Sequence, residues 1–477
     1  MGELGEGATA SSDNDPAAAP LLQRSMHRLG NLMITVSAIT PTMSVFIIGS
    51  QVIQQAGTGA MISFAAVAVL GLATAYVYAE LSSAFPLTGG EYSMMGRALG
   101  PSFGFMALAL NLFGGALGQA VTALGLAEYL GVVVPGLPAL PVALIATVLV
   151  TGVSILNVRV NAVITGVFLA VELASLGVLV ALGFAHPHQA VDTLTLHPVL
   201  ATAHGLAPTP WAAIGLASTS AIYAYNGYGG ACYFGEEMFE ARTKLAWVIF
   251  WSLGIAVVAE FLPVVATLLG AGDLQAVLGA DSPFAAFIAE AGGPWLAKAV
   301  SLGVAFAIVN AMLAIALINA RQLYASGRDG VWPAFVNRAT TALHPRLNSP
   351  WISCLIMGVA TAAACLLRLD FLVMVTGAGI VVIYAGVSAA AIAGRINGTT
   401  DPGHYRMPLF PLAPALSLAA LAAVIAADLF DPDVGRPSLI ANAAVMAAAV
   451  AYYLLFLKRR GGWALRGEGG ALLARRD

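Results

Sequence analysis

Long apolar blocks separated by short polar gaps make up most of this chain. A helix that crosses a bilayer needs about 20 mostly apolar residues. Twelve stretches meet that need, roughly 32–56, 60–84, 102–131, 138–157, 161–184, 211–236, 244–271, 296–324, 350–368, 370–394, 408–430 and 437–457. The gaps are turns of polar residues, proline and glycine, such as Gln54-Gln55-Ala56-Gly57-Thr58-Gly59 and Asp431-Pro432-Asp433. The pattern predicts an all-α polytopic membrane protein with twelve transmembrane helices.

Two stretches are poor helices in their middles. The first contains Thr40-Pro41-Thr42-Met43-Ser44. Proline removes a backbone donor and clashes with the preceding turn. The sixth contains Asn226-Gly227-Tyr228-Gly229-Gly230, where each glycine costs about 1 kcal/mol against alanine in a helix interior. Irregular backbone at membrane depth is tolerated only where it faces protein or a water-filled cavity. Transporters use such breaks to hold cargo near the midplane, and two breaks in corresponding stretches point to an inverted repeat. Kinking or packing alone can also place proline and glycine in a helix; two breaks in matching places favour a site.

Composition removes other classes. Hydrophobic residues make up 59% of the chain and charged ones 9%, against about 25% charged in a soluble protein, and mean hydropathy is +0.86. No basic tract reads as a nucleic-acid surface. The three cysteines, Cys232, Cys354 and Cys365, all lie in apolar stretches, which argues against a disulfide framework. No Gly-x-x-x-x-Gly-Lys-Ser/Thr run points to ATP-driven pumping. No His-Glu-x-x-His, nucleophile triad or paired aspartates point to an enzyme. A membrane sensor built on a transporter frame would need an added domain or a long tail, and the tail after Lys458 is short and basic. His186, His188, His197 and His204, all in the gap 185–210, lack an acidic or cysteine partner in fixed spacing, so neither a metal nor a cofactor is expected.

Basic residues fix an expected orientation. With the N-terminus in the cytoplasm, only Lys298, Arg368 and Arg436 of the 21 lysines and arginines fall outside. The expected map is a disordered cytoplasmic tail over 1–29, helices one to five over 30–184, an extracellular loop over 185–210, helices six to ten over 211–395, helices eleven and twelve over 396–458, and a basic cytoplasmic tail over 459–477. The acidic N-terminal segment is not a signal peptide, because no basic region precedes a short apolar core.

Four motifs in order carry a family resemblance. Ala79-Glu80-Leu81 is followed by Phe85-Pro86-Leu87-Thr88-Gly89-Gly90-Glu91-Tyr92; Gly100-Pro101 and Gly104-Phe105 open the third stretch; FGEEMFEART follows the sixth; YASGRDGVWPAFVNRA follows the eighth. These resemble the amino acid–polyamine–organocation transporters, across about residues 30–460. The resemblance implies a five-plus-five inverted repeat with discontinuous helices one and six, plus two further helices. It implies alternating access around a central site that helices three and eight flank. The first break resembles the Thr-Pro-x-Thr-Val-Phe variant of some amine importers. Those importers carry an acidic residue just after the helix-six glycine, where this chain has Gly229.

An amino acid presents a carboxylate and an ammonium. The N-terminal end of a half-helix suits the first and the carbonyls at a C-terminal end suit the second. By resemblance, Thr42, Met43 and Ser44 would offer N–H groups to the carboxylate, while carbonyls near Thr40, Tyr223 and Asn226 would take the amine. Gly227 would let the cargo approach the backbone. Tyr223 matches the family's gating aromatic; Tyr225 and Tyr228 flank the same break, and Tyr92 would lie near the cytoplasmic pathway. Glu80 would fix or gate the inner end of helix two.

Ionisable groups inside a membrane are functional candidates. Glu172, mid-helix five, occupies by resemblance the place where some proton-coupled relatives carry a lysine. A carboxyl there can bind and release a proton; a permanently protonated, silent one is the alternative. Glu260 and Glu128 are further carboxyls in apolar stretches, and Asn111 is a candidate to line the site from helix three. Glu236, Glu237, Arg242, Lys244, Arg97 and Arg328 are expected in neighbouring cytoplasmic loops, where they would either pair or be solvated. The expected activity is secondary-active transport of an amino acid, a neutral zwitterion favoured, by proton symport or exchange. A polyamine or other organic amine is the alternative cargo.

Overall fold

The computed structural model describes residues 22–134, 136–430, 432, 435–460 and 465. Among these, eight helical runs are long and apolar enough to cross a membrane: Arg28–Ala84, Pro101–Gly131, Val158–Ala185, Ala241–Gly270, Pro283–Arg328, Val375–Ile396, Leu412–Phe430 and Gly435–Arg460. Ala139–Ser154 and Trp351–Ala364 are shorter apolar helices. Large aliphatic side chains stand outside these helices, including Val148 at 69% exposure and Val359 at 71%. A surface of that kind is stable against lipid, not against water. The two terminal tails before residue 22 and after 465, and the Glu128 side chain, lie outside the described residues.

The first run is three helices, and its first break falls at Thr40. α1 (Arg28–Ile39) stops at Thr40, whose φ of 61° and ψ of 55° are left-handed. A non-glycine residue there costs of order 1 kcal/mol. Pro41 then opens α2 (residues 41–56), where its missing N–H breaks no hydrogen bond. Ser44–Gly49 within α2 is wound as a π-helix. α3 (Ala60–Ala84) follows, then a short helix α4 (Glu91–Ala98), α5 (Pro101–Val133), α6 (Ala139–Ser154) and α7 (Val158–Ala185).

The long gap holds a short hairpin, β1 (Val199–Thr202) on β2 (Gly205–Pro208), and His197 in it meets Asp192 at 2.9 Å. α8 (Trp211–Ala224) ends at the second break. Gly227 has φ 118°, and a tight 3-10 turn runs from Tyr228 to Phe234. α9 (Ala241–Gly270), α10 (Pro283–Arg328, kinked at Gly293), α11 (Trp351–Ala364), α12 (Leu369–Ile396), α13 (Leu412–Phe430) and α14 (Gly435–Tyr452) complete the bundle. Cys232, Cys354 and Cys365 are buried and unpaired.

The two breaks touch. The Ser44 hydroxyl lies 3.3 Å from the Ile39 carbonyl and 3.2 Å from the Ala224 carbonyl, the last helical residues before each break. One side chain thus serves orphaned carbonyls at both breaks. Gly227 faces Ile39 so closely that a Cβ would stand 3.1 Å from the Ile39 Cα. α5 and α10 flank this junction, and they pack on each other.

Candidate functional site

A cavity of about 230 Å³ lies where the breaks meet. Ala38 of α1 and Asn226, Gly227, Gly229 and Gly230 of the second break line one wall. α5 gives Asn111 and three glycines, Gly114, Gly115 and Gly118; α10 gives Ile318, Asn319 and Gln322; α12 gives Thr376, Ile383 and Tyr384. Glycine on the cavity face of α5 leaves room that any larger residue would fill.

Among the described residues, one that lines the cavity carries a carboxyl: Glu91, at the start of α4. The turn at Gly90, with φ 53°, swings the first residue of α4 inward, and Glu91 is buried. Tyr78 donates to its Oε1 at 2.8 Å. Tyr233 donates to its Oε2, and Asn111 Nδ2 lies 3.4 Å from the same oxygen. Burial pushes this carboxyl up to about 7, while donors including Tyr78 and Asn111 pull it back. Among the described residues, no lysine or arginine lines the cavity.

Gly229 and Glu91 are connected through Tyr78. A Cβ on Gly229 would stand 2.5 Å from the Tyr78 ring, so no side chain fits there while Tyr78 holds its place. The hydroxyl of that ring donates to Glu91. The cavity therefore has a carboxyl, but it is supplied from the loop after α3 and not from position 229.

Of the residues expected from sequence, Asn226 and Gly227 line the cavity, and Tyr384 donates to the Asn226 amide oxygen. Thr40, Thr42, Met43 and Ser44 form the first break but are not in the lining. The Thr42 N–H donates to Glu172 Oε1 at 2.9 Å, and the Ser44 N–H to the Thr40 carbonyl at 2.9 Å. Met43 is half-buried against the core. Tyr223 presses its ring on Gly377 of α12, and Tyr225 meets Phe64 edge to face at 5.7 Å. Tyr228 packs with Tyr78 and Tyr384 in a three-ring cluster. Tyr92 is buried in a separate cluster with Phe105 and Leu108.

Glu80 lies away from the cavity. Arg395 Nε and Nη2 each reach its carboxylate at 2.6 Å, and the Met407 N–H donates to it at 2.7 Å. It ties the end of α3 to the end of α12 and the segment that follows. Glu237 pairs with Arg321, and Glu236 with Arg328, both pairs buried. Glu91, Tyr78, Tyr233 and Tyr384 were not among the residues singled out for the site. Glu91 was visible inside the Gly-Gly-Glu-Tyr motif; its inward direction depends on the Gly90 turn.

A family model described as amino acid permease matches residues 29–456. The chain belongs to the amino acid permease family. This permease is 27% identical to an uncharacterized transporter of Mycobacterium tuberculosis (strain ATCC 25618 / H37Rv), over 83% of each chain. It is 23% identical to a branched-chain amino acid permease of Bacillus subtilis (strain 168), over 83% of this chain and 86% of that one. A cationic amino acid transporter of Arabidopsis thaliana, described as chloroplastic, is 24% identical over 73% of this chain and 62% of its own. The permease is a multi-pass membrane transporter, as the family and its apolar helices require.

Proposed function

We propose that this permease is a secondary-active transporter that moves an amino acid across the cytoplasmic membrane by alternating access. The observation that carries the reading is the cavity at the junction of two interrupted helices. Its twelve spans form a five-plus-five inverted repeat (30–184 and 211–395) with two added helices, and both ends face the cytoplasm. Gly227 brings cargo against the backbone, and carbonyls near Thr40, Tyr223 and Asn226 take its ammonium. The amides of Thr42, Met43 and Ser44 take its carboxylate once the first break opens. Tyr223, Tyr225 and Tyr228 wall the path on one side, and Tyr92 and Glu80 belong to the other.

Glu172 is the coupling group in this reading. Ionised, it accepts a charge-assisted bond from the Thr42 amide; protonated, it accepts weakly. Its charge state thus sets how firmly the first break is held.

A neutral zwitterion remains the favoured cargo, since two backbone breaks offer a partner to each end of it. Glu91 favours a second reading, a cationic amino acid or an organic amine, because the cavity's carboxyl has no basic partner among the described lining residues. Purified protein in proteoliposomes, offered labelled leucine, lysine and putrescine under an imposed proton gradient, separates them. Gradient-driven leucine uptake supports the first reading. Lysine uptake without leucine supports the second. Putrescine alone would remove the role given to the helix-one amides.

A further inference from the structure

A second polar cluster lies behind the first break, apart from the cavity. The segment Pro41–Met43 is packed by α7, α9 and α10. α7 brings Glu172, α9 brings Glu260 and α10 brings Asn310, each fully buried. Glu172 Oε1 accepts the Thr42 N–H, and Asn310 Nδ2 donates to Ser37 Oγ at 2.8 Å. The other polar atoms are unsatisfied. Glu172 Oε2, both oxygens of Glu260, Asn310 Oδ1 and the Tyr225 hydroxyl have no hydrogen-bond partner among the described residues.

The helices that carry these groups pack on the same three residues, Pro41–Met43. Glu260 is within electrostatic reach of Glu172 on one side and of Tyr225 on the other, and the Asn310 amide is beside Glu172. Apart from the two carboxyls, α1 and α10 bring uncharged groups to the cluster, Ser37 and Asn310. Among the described residues no lysine, arginine or histidine pairs with either carboxyl.

Two ionised carboxylates cannot share such a place. Each buried, unpaired anion carries a desolvation cost of several kcal/mol, and two like charges add repulsion. Their surroundings differ. Glu172 has the Thr42 amide to stabilise an anion, and Glu260 has no donor among the described residues.

We propose that Glu172 and Glu260 are one functional unit, a carboxyl pair that binds and releases a single proton between them. The proton comes from water onto a carboxylate oxygen of the pair and returns to water; no other bond changes. Glu260 is the partner that holds it at rest, and Glu172 passes the pair's charge to the first break through Thr42. The proposal rests on the reading of Glu172 as the coupling group and adds a second carboxyl from another helix. Interacting groups of this kind titrate as a pair, not as two residues.

The test is infrared difference spectroscopy of the full chain in liposomes, titrated from acid to alkaline pH. It needs no cargo, so it stands or falls apart from the transport reading. Wild-type protein is expected to show a protonated-carboxyl band that Glu260→Gln removes. In each single variant, Glu172→Gln and Glu260→Gln, the signal of the remaining carboxyl should move by about one pH unit or more. Glu172→Gln reads the coupling from the opposite side, so a poorly folded Glu260→Gln does not hide the answer. Bands that titrate independently, with each variant leaving the other's midpoint in place, would overturn the pair. So would a wild-type band that sodium chloride removes and choline chloride does not, since the cluster would then hold a metal cation.

Discussion

The amide of Thr42, in the first helix break, donates to the carboxyl of Glu172 on α7 at 2.9 Å. A hydrogen bond from a helix break to a titratable group couples the conformation of that break to protonation. Glu172→Gln keeps an acceptor for the amide and removes the proton. Cargo binding should change by less than about 1 kcal/mol, roughly fivefold. The pH dependence of uptake should vanish. Uptake in proteoliposomes across a pH series checks it, and a variant that follows the wild-type profile would remove Glu172 from the coupling role.

Gly227 should tolerate nothing larger. Its φ of 118° is left-handed territory, and a Cβ would meet both the Ile39 Cα and Cγ1 at 3.1 Å. Gly227→Leu pushes the two breaks apart and fills the cavity between them. Binding of the cargo, read by thermal shift, should be lost while the protein still folds and inserts. Undiminished affinity would mean that cargo does not approach this backbone.

Much of this was legible in the sequence, and the reason is the solvent. Lipid allows few backbone solutions, so apolar length alone marks the helices, and the weak points at Pro41 and Gly227 mark the breaks. Contacts between elements were not legible. That Thr42 would meet Glu172, or that Ser44 would lie between Ile39 and Ala224, depends on how helices far apart in the chain pack. Glu91 is the clearest case. Its motif places it in a loop, and only the Gly90 turn and the Tyr78 hydroxyl reveal that it faces the cavity. Position 229, read by itself, gave an incomplete picture of the cavity's charge.

Glu91 gives the cavity its own pH response. Burial raises the carboxyl to about 7 from an ordinary 4.5. The group is neutral below that value and anionic above it, so attraction for a cationic cargo grows as pH rises through 7. Lysine binding, if lysine is carried, should tighten roughly tenfold between about pH 6 and pH 8, and Glu91→Gln should flatten that response. The effect on folding has the opposite sense. A raised folded-state value contributes stability below about 4.5 that is lost as pH rises through 7, so the variant should lose less stability across that window. Lysine titrations and pH-dependent melts check both, with leucine as the neutral control.

The buried pair of Arg321 and Glu237 should show its value when broken, not when replaced. Arg321 Nη2 meets Glu237 Oε2 at 3.0 Å, and both side chains are almost fully buried. The guanidinium also stands over the Phe234 ring at 4.7 Å, so it joins α10 to the turn that ends the second break. Arg321→Met leaves the Glu237 carboxylate buried without a counter-charge, which should cost roughly 3–5 kcal/mol. The double variant Arg321→Met with Glu237→Leu removes both charges and should regain most of that loss. Thermal unfolding of the four proteins in one detergent completes the cycle. Equal losses in the single and double variants would mean that Arg321 acts through packing on Phe234. Full recovery of stability without recovery of transport would assign the pair to holding this end of the bundle closed during the cycle.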